Sequence, residues 1–196
     1  MNRAGRLHRL GEGIGSGLRR WRALLAVGIF VAAFVGLASD LLIQRYLAFQ
    51  TSAWDLGNYN QAFYDTLYGH GFFYYTADLP SGNGGQLFTA HFSPILLALL
   101  PFYSVAPGPP TLLVLETLAA GLAALPFYVF ARGELRSARW ATALAAAFLA
   151  SPVLLGILWY DFHPEAFLPV AVLSALVCYR SAGGNCSSSP GSSRSA

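Results

Sequence analysis

Residues 23–39 read ALLAVGIFVAAFVGLAS, a run without a single charged side chain. Continued as a helix to residue 43, this run would be about 30 Å long, which matches the hydrocarbon core of a bilayer. The alternative is a secretory signal peptide, with Gly36-Leu37-Ala38 as the cleavage site. The run is longer than the usual apolar region of a signal peptide, and further apolar runs follow it. Both observations favour an uncleaved membrane span.

The composition of the whole chain leads to the same class of protein. Of 196 residues, 55% are hydrophobic and only 11% are charged, whereas soluble domains carry about 25% charged residues. So few charges cannot cover that much apolar surface in water, which nearly excludes a soluble enzyme. The high hydrophobicity also excludes disorder for most of the chain. We therefore predict an all-α, polytopic integral membrane protein, for which the lipid bilayer is the first partner.

The basic residues are placed unevenly. All 12 are Arg, and this usage in an Ala-rich chain is typical of a GC-rich bacterial genome. Since the first apolar run follows the basic N-terminus at once, the positive-inside rule explains that terminus better than nucleic-acid binding does. We expect a cytoplasmic N-terminus in a bacterial inner membrane and no nucleic-acid partner. Six arginines precede the first span: Arg3, Arg6, Arg9, Arg19, Arg20 and Arg22.

The chain divides into three regions. Residues 1–22 form a basic cytoplasmic segment, in which the alternating glycines of residues 11–17 favour a flexible linker over a phosphate-binding loop, because no strand precedes them. Residues 23–180 form the membrane domain. Residues 181–196, of which seven are Ser, are predicted to be disordered. Two interpretations of this tail remain open: a flexible cytoplasmic tail, or a fragment that ends through a shifted reading frame or a premature stop.

Within the membrane domain we predict about four spans plus an interfacial helix. The arginines of residues 132–139 and Arg180 belong on the cytoplasmic side, and residues 44–90 belong outside. An odd number of membrane crossings must therefore separate residues 44–90 from residues 132–139. Residues 91–106 are short and contain Pro101, so we predict that this segment lies at the outer surface and that residues 44–106 are external. The predicted spans are 23–43, 111–131, 140–160 and 162–179.

This topology brings several ionisable residues to one outer face: Asp55, His91, Asp161, His163 and Glu165. Asp55 precedes an amphipathic stretch, where it is predicted to act as a helix N-cap. The same carboxylate could also serve as a general base or hold a cation. The alternative to a role in binding is a structural role for these residues. His91 would then be a helix-start residue, and His163-Pro164-Glu165 would be a turn between two spans.

The residue types at this face also suit Zn²⁺ or Mn²⁺. Their spacing matches no local metal motif, so a divalent metal is the weaker hypothesis beside phosphate binding. The two cysteines, Cys178 and Cys186, have the spacing of neither a metal site nor a disulfide framework. Asp40 and Glu116 lie inside predicted spans, near the outer end of each. We expect both to reach water, or to line a polar path if the protein is a transporter.

Three short motifs resemble the prokaryotic membrane proteins grouped as domain of unknown function 2079. The first is Asp55-Leu56-Gly57-x-Tyr59-x-Gln61, the second is residues 91–94 (His-Phe-Ser-Pro), and the third is residues 162–165 (Phe-His-Pro-Glu). The resemblance covers about residues 40–180. Asn60 departs from it, because many members carry an acidic residue there. Members are usually much longer, so this chain is similar to their N-terminal part.

That family is in turn similar in layout to the GT-C glycosyltransferases, which use a polyprenyl-phosphate sugar donor. The resemblance implies that the fold is the N-terminal part of a GT-C-like fold and that Asp55 is the catalytic residue on an external active face. It implies a truncated enzyme that is inactive alone, because four spans leave little room for donor and acceptor together. The alternatives are a non-catalytic membrane protein and a transporter component. The substrate- or phosphate-binding residues implied are His91, His163, Asp161, Glu165 and Gln61.

Overall fold

The computed structural model describes residues 3–75 and 85–186, with side chains described from Trp21 onward except for those of Ala90 and residues 183–186. Within this part the chain is all helical, and the only extended pairing is an isolated bridge between Tyr74 and Gln86. The elements in chain order are α1 (Arg3–Leu47), a π-helical turn (Ala53–Gly57), α2 (Asn58–Tyr68), α3 (Leu87–Ala90), α4 (Ile95–Val105), α5 (Pro109–Leu122), α6 (Ala124–Leu135), α7 (Ala138–Leu149), α8 (Pro152–Trp159), a 3-10 turn (Pro164–Phe167) and α9 (Leu168–Cys186).

Four described segments are long and apolar enough to cross a membrane, which confirms the predicted helical membrane fold with about four spans. Span 2 combines α5 and α6, and span 3 combines α7 and α8. Each of the other two spans is mainly one helix. In chain order the spans are Trp21–Leu47, Pro109–Leu135, Ala138–Trp159 and Pro164–Ala182.

Proline and serine explain the break in span 3. Pro152 is the first residue of α8, where its missing N–H is not needed and its fixed φ suits the helix. The Ser151 hydroxyl accepts the N–H of Leu154 at 3.3 Å and so caps the new helix. The break therefore leaves few unsatisfied backbone groups at membrane depth.

Spans 1 and 2 approach each other closely through small and polar residues. The hydroxyls of Ser39 and Thr117 lie 2.6 Å apart and are buried. One turn further along α5, a methyl group added at Gly121 would lie 2.6 Å from Cγ2 of Val35, so glycine is required for this contact. Small residues and interhelical hydroxyl bonds are the usual means of helix association in lipid.

The connection between spans 1 and 2 returns to the end of the bundle from which it starts. Tyr46 near the end of span 1, Ser52 just after that span and Pro109 at the start of span 2 line one cavity of about 320 Å³. Helix α4 has 11 residues and is about 16 Å long, roughly half of the hydrocarbon thickness. These observations support our proposal that α4 lies at the membrane surface without crossing it.

Both ends of the described chain are more helical than the sequence analysis expects. The flexible linker expected at residues 11–17 is wrong, because α1 runs through it from Arg3. The disorder expected from residue 181 is wrong for residues 181–186, because α9 continues to Cys186. Extending an existing helix adds one hydrogen bond per residue, which outweighs the weak helix propensity of Gly and Ser. The rest of the tail, residues 187–196, and loop residues 76–84 lie outside the described part.

Candidate functional site

The site is built on the turn that joins spans 3 and 4. Asp161 stands in this turn with φ at 69°, a left-handed backbone conformation that Asp tolerates better than most residues. Its buried carboxylate binds two partners distant in sequence: Oδ2 accepts the backbone N–H of Ser52 at 2.6 Å, and Oδ1 lies 3.2 Å from Nη1 of Arg45. Asp161 was predicted to bind substrate or phosphate, but both of its oxygens are engaged within the protein.

Arg45 anchors the same turn from the end of span 1. Its guanidinium donates to the backbone carbonyl of Trp159 at 2.6 Å and lies 4.6 Å from the centre of the Trp159 ring. It therefore holds span 3 through a hydrogen bond, a cation–π contact and the Asp161 ion pair. Sequence analysis missed this role, although Arg45 is the one basic residue in the predicted external region 44–90. A basic residue that violates the positive-inside rule is the signal that points to it.

Asp55 lies inside the π-helical turn that follows span 1. The predicted N-cap role of Asp55 is wrong, because the cap is Ser52, whose hydroxyl accepts the N–H of Trp54 at 3.2 Å. Ser52 has the extended conformation of a cap residue, whereas Asp55 is already within the helix. The Asp55 carboxylate instead faces His163, with Oδ1 3.9 Å from Nε2. Both side chains are partly exposed, at 28% and 25%.

The His163 ring is held from its other edge. Its Nδ1 lies 3.3 Å from the backbone carbonyl of Asp161. A carbonyl can only accept, so this contact favours the hydrogen on Nδ1 and leaves Nε2 toward Asp55. The ring of Tyr160 lies 5.1 Å from the His163 ring, and that of Tyr59 lies 6.2 Å from it. The imidazole therefore has a fixed orientation in a partly open, aromatic setting.

Glu116 supports the turn from within span 2. Its Oε1 accepts the backbone N–H of His163 at 3.3 Å, and its Oε2 has no hydrogen-bond partner among the described residues. The expectation that Glu116 reaches water is wrong, because the residue is completely buried. Helix α5 faces the 3-10 turn there, so the carboxyl is covered by the turn that it supports. Asp40 does reach the surface, where it accepts a 2.8 Å hydrogen bond from Gln44.

Tyr59 is a buried member of the site that sequence analysis quoted only as part of a motif. Its ring packs edge-on against Phe162 at 5.2 Å. Burial raises the pKa of the Tyr59 phenol, and the nearby carboxylates of Glu165 and Asp55 raise it further. The phenol is therefore neutral, a potential hydrogen-bond donor beside the Asp55–His163 pair.

The remaining predicted residues are less central. Glu165 is exposed in the 3-10 turn, and Gln61 is partly buried on α2. His91 is exposed where α3 ends, and no described contact joins it to Asp55 or His163. The structure thus brings together Asp55, Asp161 and His163 but does not bring His91 to them. Among the described residues no group of three or more His, Cys, Asp or Glu side chains is arranged to hold a metal ion.

Comparison with known protein families finds a match over most of the chain. Residues 45–184 match the model of a family described as predicted membrane protein, domain of unknown function 2079. The chain belongs to this family. The matched region contains every residue of the site, from Arg45 and Asp55 to Glu116, Asp161 and His163. Comparison with curated proteins and with solved structures found no match.

Proposed function

We propose that this member of domain of unknown function 2079 is a GT-C-like glycosyltransferase, or part of one, that moves a sugar from a polyprenyl-phosphate carrier. The observation that carries the proposal is the Asp55–His163 pair, with 3.9 Å between carboxylate oxygen and imidazole nitrogen. A carboxylate can accept the proton of a substrate hydroxyl, and an imidazole beside it can bind a phosphate group. The similarity to GT-C enzymes is one of layout, so the assignment of chemistry depends on these two side chains.

The proposed reaction is an inverting displacement. An acceptor hydroxyl attacks the anomeric carbon, and its proton passes to the Asp55 carboxylate. The bond between that carbon and the phosphate oxygen breaks, and its electron pair leaves on the lipid phosphate. When it carries hydrogens on both ring nitrogens, His163 stabilises the charge that develops on the departing phosphate. The described residues provide no three-ligand metal group, so no step is assigned to a metal.

Rigid support of this pair favours chemistry over a purely structural role. The Asp161 carboxylate and Glu116 fix the backbone around His163, while Ser52 links the Asp55 turn to Asp161. Catalytic groups need support of this kind, because small displacements cost much of the rate. A structural turn between two spans would not need a partly exposed carboxylate and imidazole at its surface.

Exposed aromatic rings beside the pair suit a sugar substrate. Trp54 precedes Asp55 and is 62% exposed, and Tyr160, next to the His163 ring, is 70% exposed. Amphipathic rings of this kind are common at the membrane interface, where one end of the ring meets water. In our proposal they pack against the apolar face of the sugar, and the lipid tail of the donor stays in the bilayer.

The test is a transfer assay with a labelled polyprenyl-phosphate sugar in membranes. The assay uses both this chain and a longer family member. We expect release of polyprenyl phosphate from the longer protein, and a loss of about 100-fold or more when the residue matching His163 becomes Asn. The matched control changes the residue that matches His70 to Asn. In this chain His70 is an exposed imidazole that contacts Asp65 and not Asp55. The proposal would be contradicted by an equal loss of transfer activity in both variants, or by no turnover of any polyprenyl-phosphate sugar. Either result would favour the alternative of a non-catalytic membrane protein.

A further inference from the structure

A cavity of about 320 Å³ adjoins the turn that carries Asp55, and we call it the Phe49 cavity. Its walls come from the end of span 1, from the turn that follows and from the start of span 2. No described residue that lines it carries a charge, and the hydroxyl of Ser52 in its wall is already engaged as a helix cap. A cavity of this kind suits an apolar ligand. The apolar part of the wall is formed by Tyr46, Phe49, Ala53, Leu56 and Pro109.

Phe49 has a backbone conformation that favours glycine. Its φ is 57°, and it follows the end of α1 as part of a Schellman motif. In this motif the N–H of Phe49 donates to the carbonyl of Tyr46 at 3.0 Å. The N–H of Gln50 donates to the carbonyl of Arg45, also at 3.0 Å. Glycine is the usual residue at this position, because the backbone crowds any side chain there. The helix cap therefore gives no reason for a phenyl ring, since glycine would form the same two hydrogen bonds without strain.

Packing within the described structure gives no reason for the Phe49 ring either. The residue is 95% exposed although it lines the cavity, so its ring stands at the cavity mouth. Strained residues that do not stabilise the fold are found mainly where they contact a ligand. The strained, unpacked ring is thus a second observation, independent of the cavity and its lining, that indicates an apolar ligand at this place.

We propose that the Phe49 cavity holds the first isoprene units of the donor's polyprenyl chain, with the Phe49 ring packed over them. The inference rests on the proposed function, which names a polyprenyl-phosphate donor. Ala53 and Leu56 line the cavity from the same turn that places Asp55 beside His163. A helix is about 10 Å across with its side chains, a distance that a sugar and its phosphate can cross. The cavity also lies where span 1 ends and span 2 begins, so the remaining isoprene units can stay in the bilayer.

The test is a titration of the purified chain, in a neutral detergent, with undecaprenyl phosphate, read as the thermal unfolding midpoint. We expect a saturable rise of the midpoint. Phe49→Gly should keep or raise the midpoint measured without lipid, because relief of strain outweighs the freedom that glycine gives to the unfolded chain. The same variant should raise the half-saturating lipid concentration by about tenfold, since the isoprene units lose their contact with the phenyl ring. A residue with a purely structural role would not combine these two effects.

A second pair of variants tests the cavity itself. Ala53→Trp fills the cavity from an exposed position and should also raise the half-saturating concentration. The matched control is Ala48→Trp, which adds the same ring at an exposed alanine that does not line the cavity. It should leave half-saturation nearly unchanged, and equal effects of the two tryptophan variants would overturn the proposal.

Other results would overturn it as well. One is stabilisation by phosphatidylglycerol or by inorganic phosphate that is as strong as that by undecaprenyl phosphate. Another is a Phe49→Gly variant with a lower lipid-free midpoint or an unchanged half-saturating concentration.

None of these readouts depends on sugar transfer. Saturable binding of undecaprenyl phosphate, with no transfer by a longer family member, would contradict the proposed function and leave the cavity as a lipid site. Transfer by the longer protein, with half-saturation unchanged in Phe49→Gly, would support the proposed function and overturn this inference.

Discussion

The carboxylate of Asp161 lies 3.2 Å from the guanidinium of Arg45, across 116 residues of sequence, and both side chains are mostly buried. This ion pair joins the end of span 1 to the turn after span 3. The same carboxylate accepts the N–H of Ser52, which begins the turn that carries Asp55. The position of Asp55 relative to His163 therefore depends on a side chain whose two carboxylate oxygens both bind groups of the protein.

Substitution of Asp161 should destabilise the fold strongly. Asp161→Asn removes the charge opposite Arg45, and breaking a buried ion pair costs about 3–5 kcal/mol. Asn tolerates the left-handed backbone at this position, so the loss reports the ion pair rather than backbone strain. Denaturant unfolding in detergent measures the change. Asp40→Asn is the control, because it alters an exposed contact with Gln44 worth only about 0.2–0.5 kcal/mol; an equal effect of the two variants would contradict the anchoring role.

Gly121 should be intolerant of even one added carbon. A Cβ at this position would lie 2.6 Å from Cγ2 of Val35 on span 1, and overpacking of this kind costs about 1–3 kcal/mol. Gly36→Ala is the matched control, since a Cβ there meets nothing within 4 Å. We expect a lower unfolding midpoint for Gly121→Ala and an unchanged or higher midpoint for Gly36→Ala. Equal midpoints would mean that spans 1 and 2 do not pack as described.

The hydrogen bond between Ser39 of span 1 and Thr117 of span 2 should give a measurable coupling energy between these two residues. Interhelical hydrogen bonds in membranes average about 0.6 kcal/mol and reach about 1.7 kcal/mol. A double-mutant cycle with Ser39→Ala and Thr117→Val should give a coupling in this range. Additive effects of the two substitutions would indicate that the hydroxyls, 2.6 Å apart in the structure, do not bond in the membrane.

Alkaline pH should destabilise the protein through two buried phenols. Burial raises the pKa of Tyr103 to about 12, and burial raises that of Tyr59 as well. The ordinary phenol pKa is about 10. Between these values the unfolded chain loses protons that the folded chain keeps, so stability falls as pH rises from about 10 to about 12. Phenolate absorbance should show late ionisation that Tyr103→Phe reduces, while in denaturant all tyrosines should ionise near pH 10.

The predicted orientation can be measured directly. Residues 132–139 are expected inside, because three arginines fall there. We expect Ser137→Cys, in a chain whose Cys178 and Cys186 are replaced by Ser, to react with a membrane-impermeant maleimide only after cells are opened. Labelling in intact cells would place this loop outside and reverse the assignment of faces.

The gross fold was accessible from the sequence because hydrophobic length and charge placement determine it. The uncharged run at residues 23–39 and the arginines around Ser137 are local signals, and they predict the number of spans without any knowledge of packing. The sequence analysis did not predict that the N-terminal segment is helical. It took the glycines of residues 11–17 as a sign of a flexible linker and overlooked that the helix of span 1 can continue through them.

The site was less accessible because its contacts join distant segments. Sequence analysis found Asp55 and His163 but assigned Asp55 a cap role that Ser52 performs. It could not foresee that Glu116 supports the backbone of His163 across 47 residues, because no local pattern encodes that contact. An isolated acidic residue within an apolar span indicates function in general, and only the tertiary structure names its partner.

The most direct measurement is the rate of sugar transfer from a polyprenyl-phosphate donor by a longer family member in which the residue matching Asp55 is changed to Asn. The control is the corresponding Asp40→Asn variant, which removes a carboxylate that contacts Gln44 and not His163. Our account predicts a loss of about 10²–10⁴-fold for the Asp55 variant, because a general base typically contributes that much, with an unchanged unfolding midpoint. The Asp40 variant should transfer at nearly the normal rate. Transfer by the Asp55 variant at the rate of the unmodified enzyme would contradict the account.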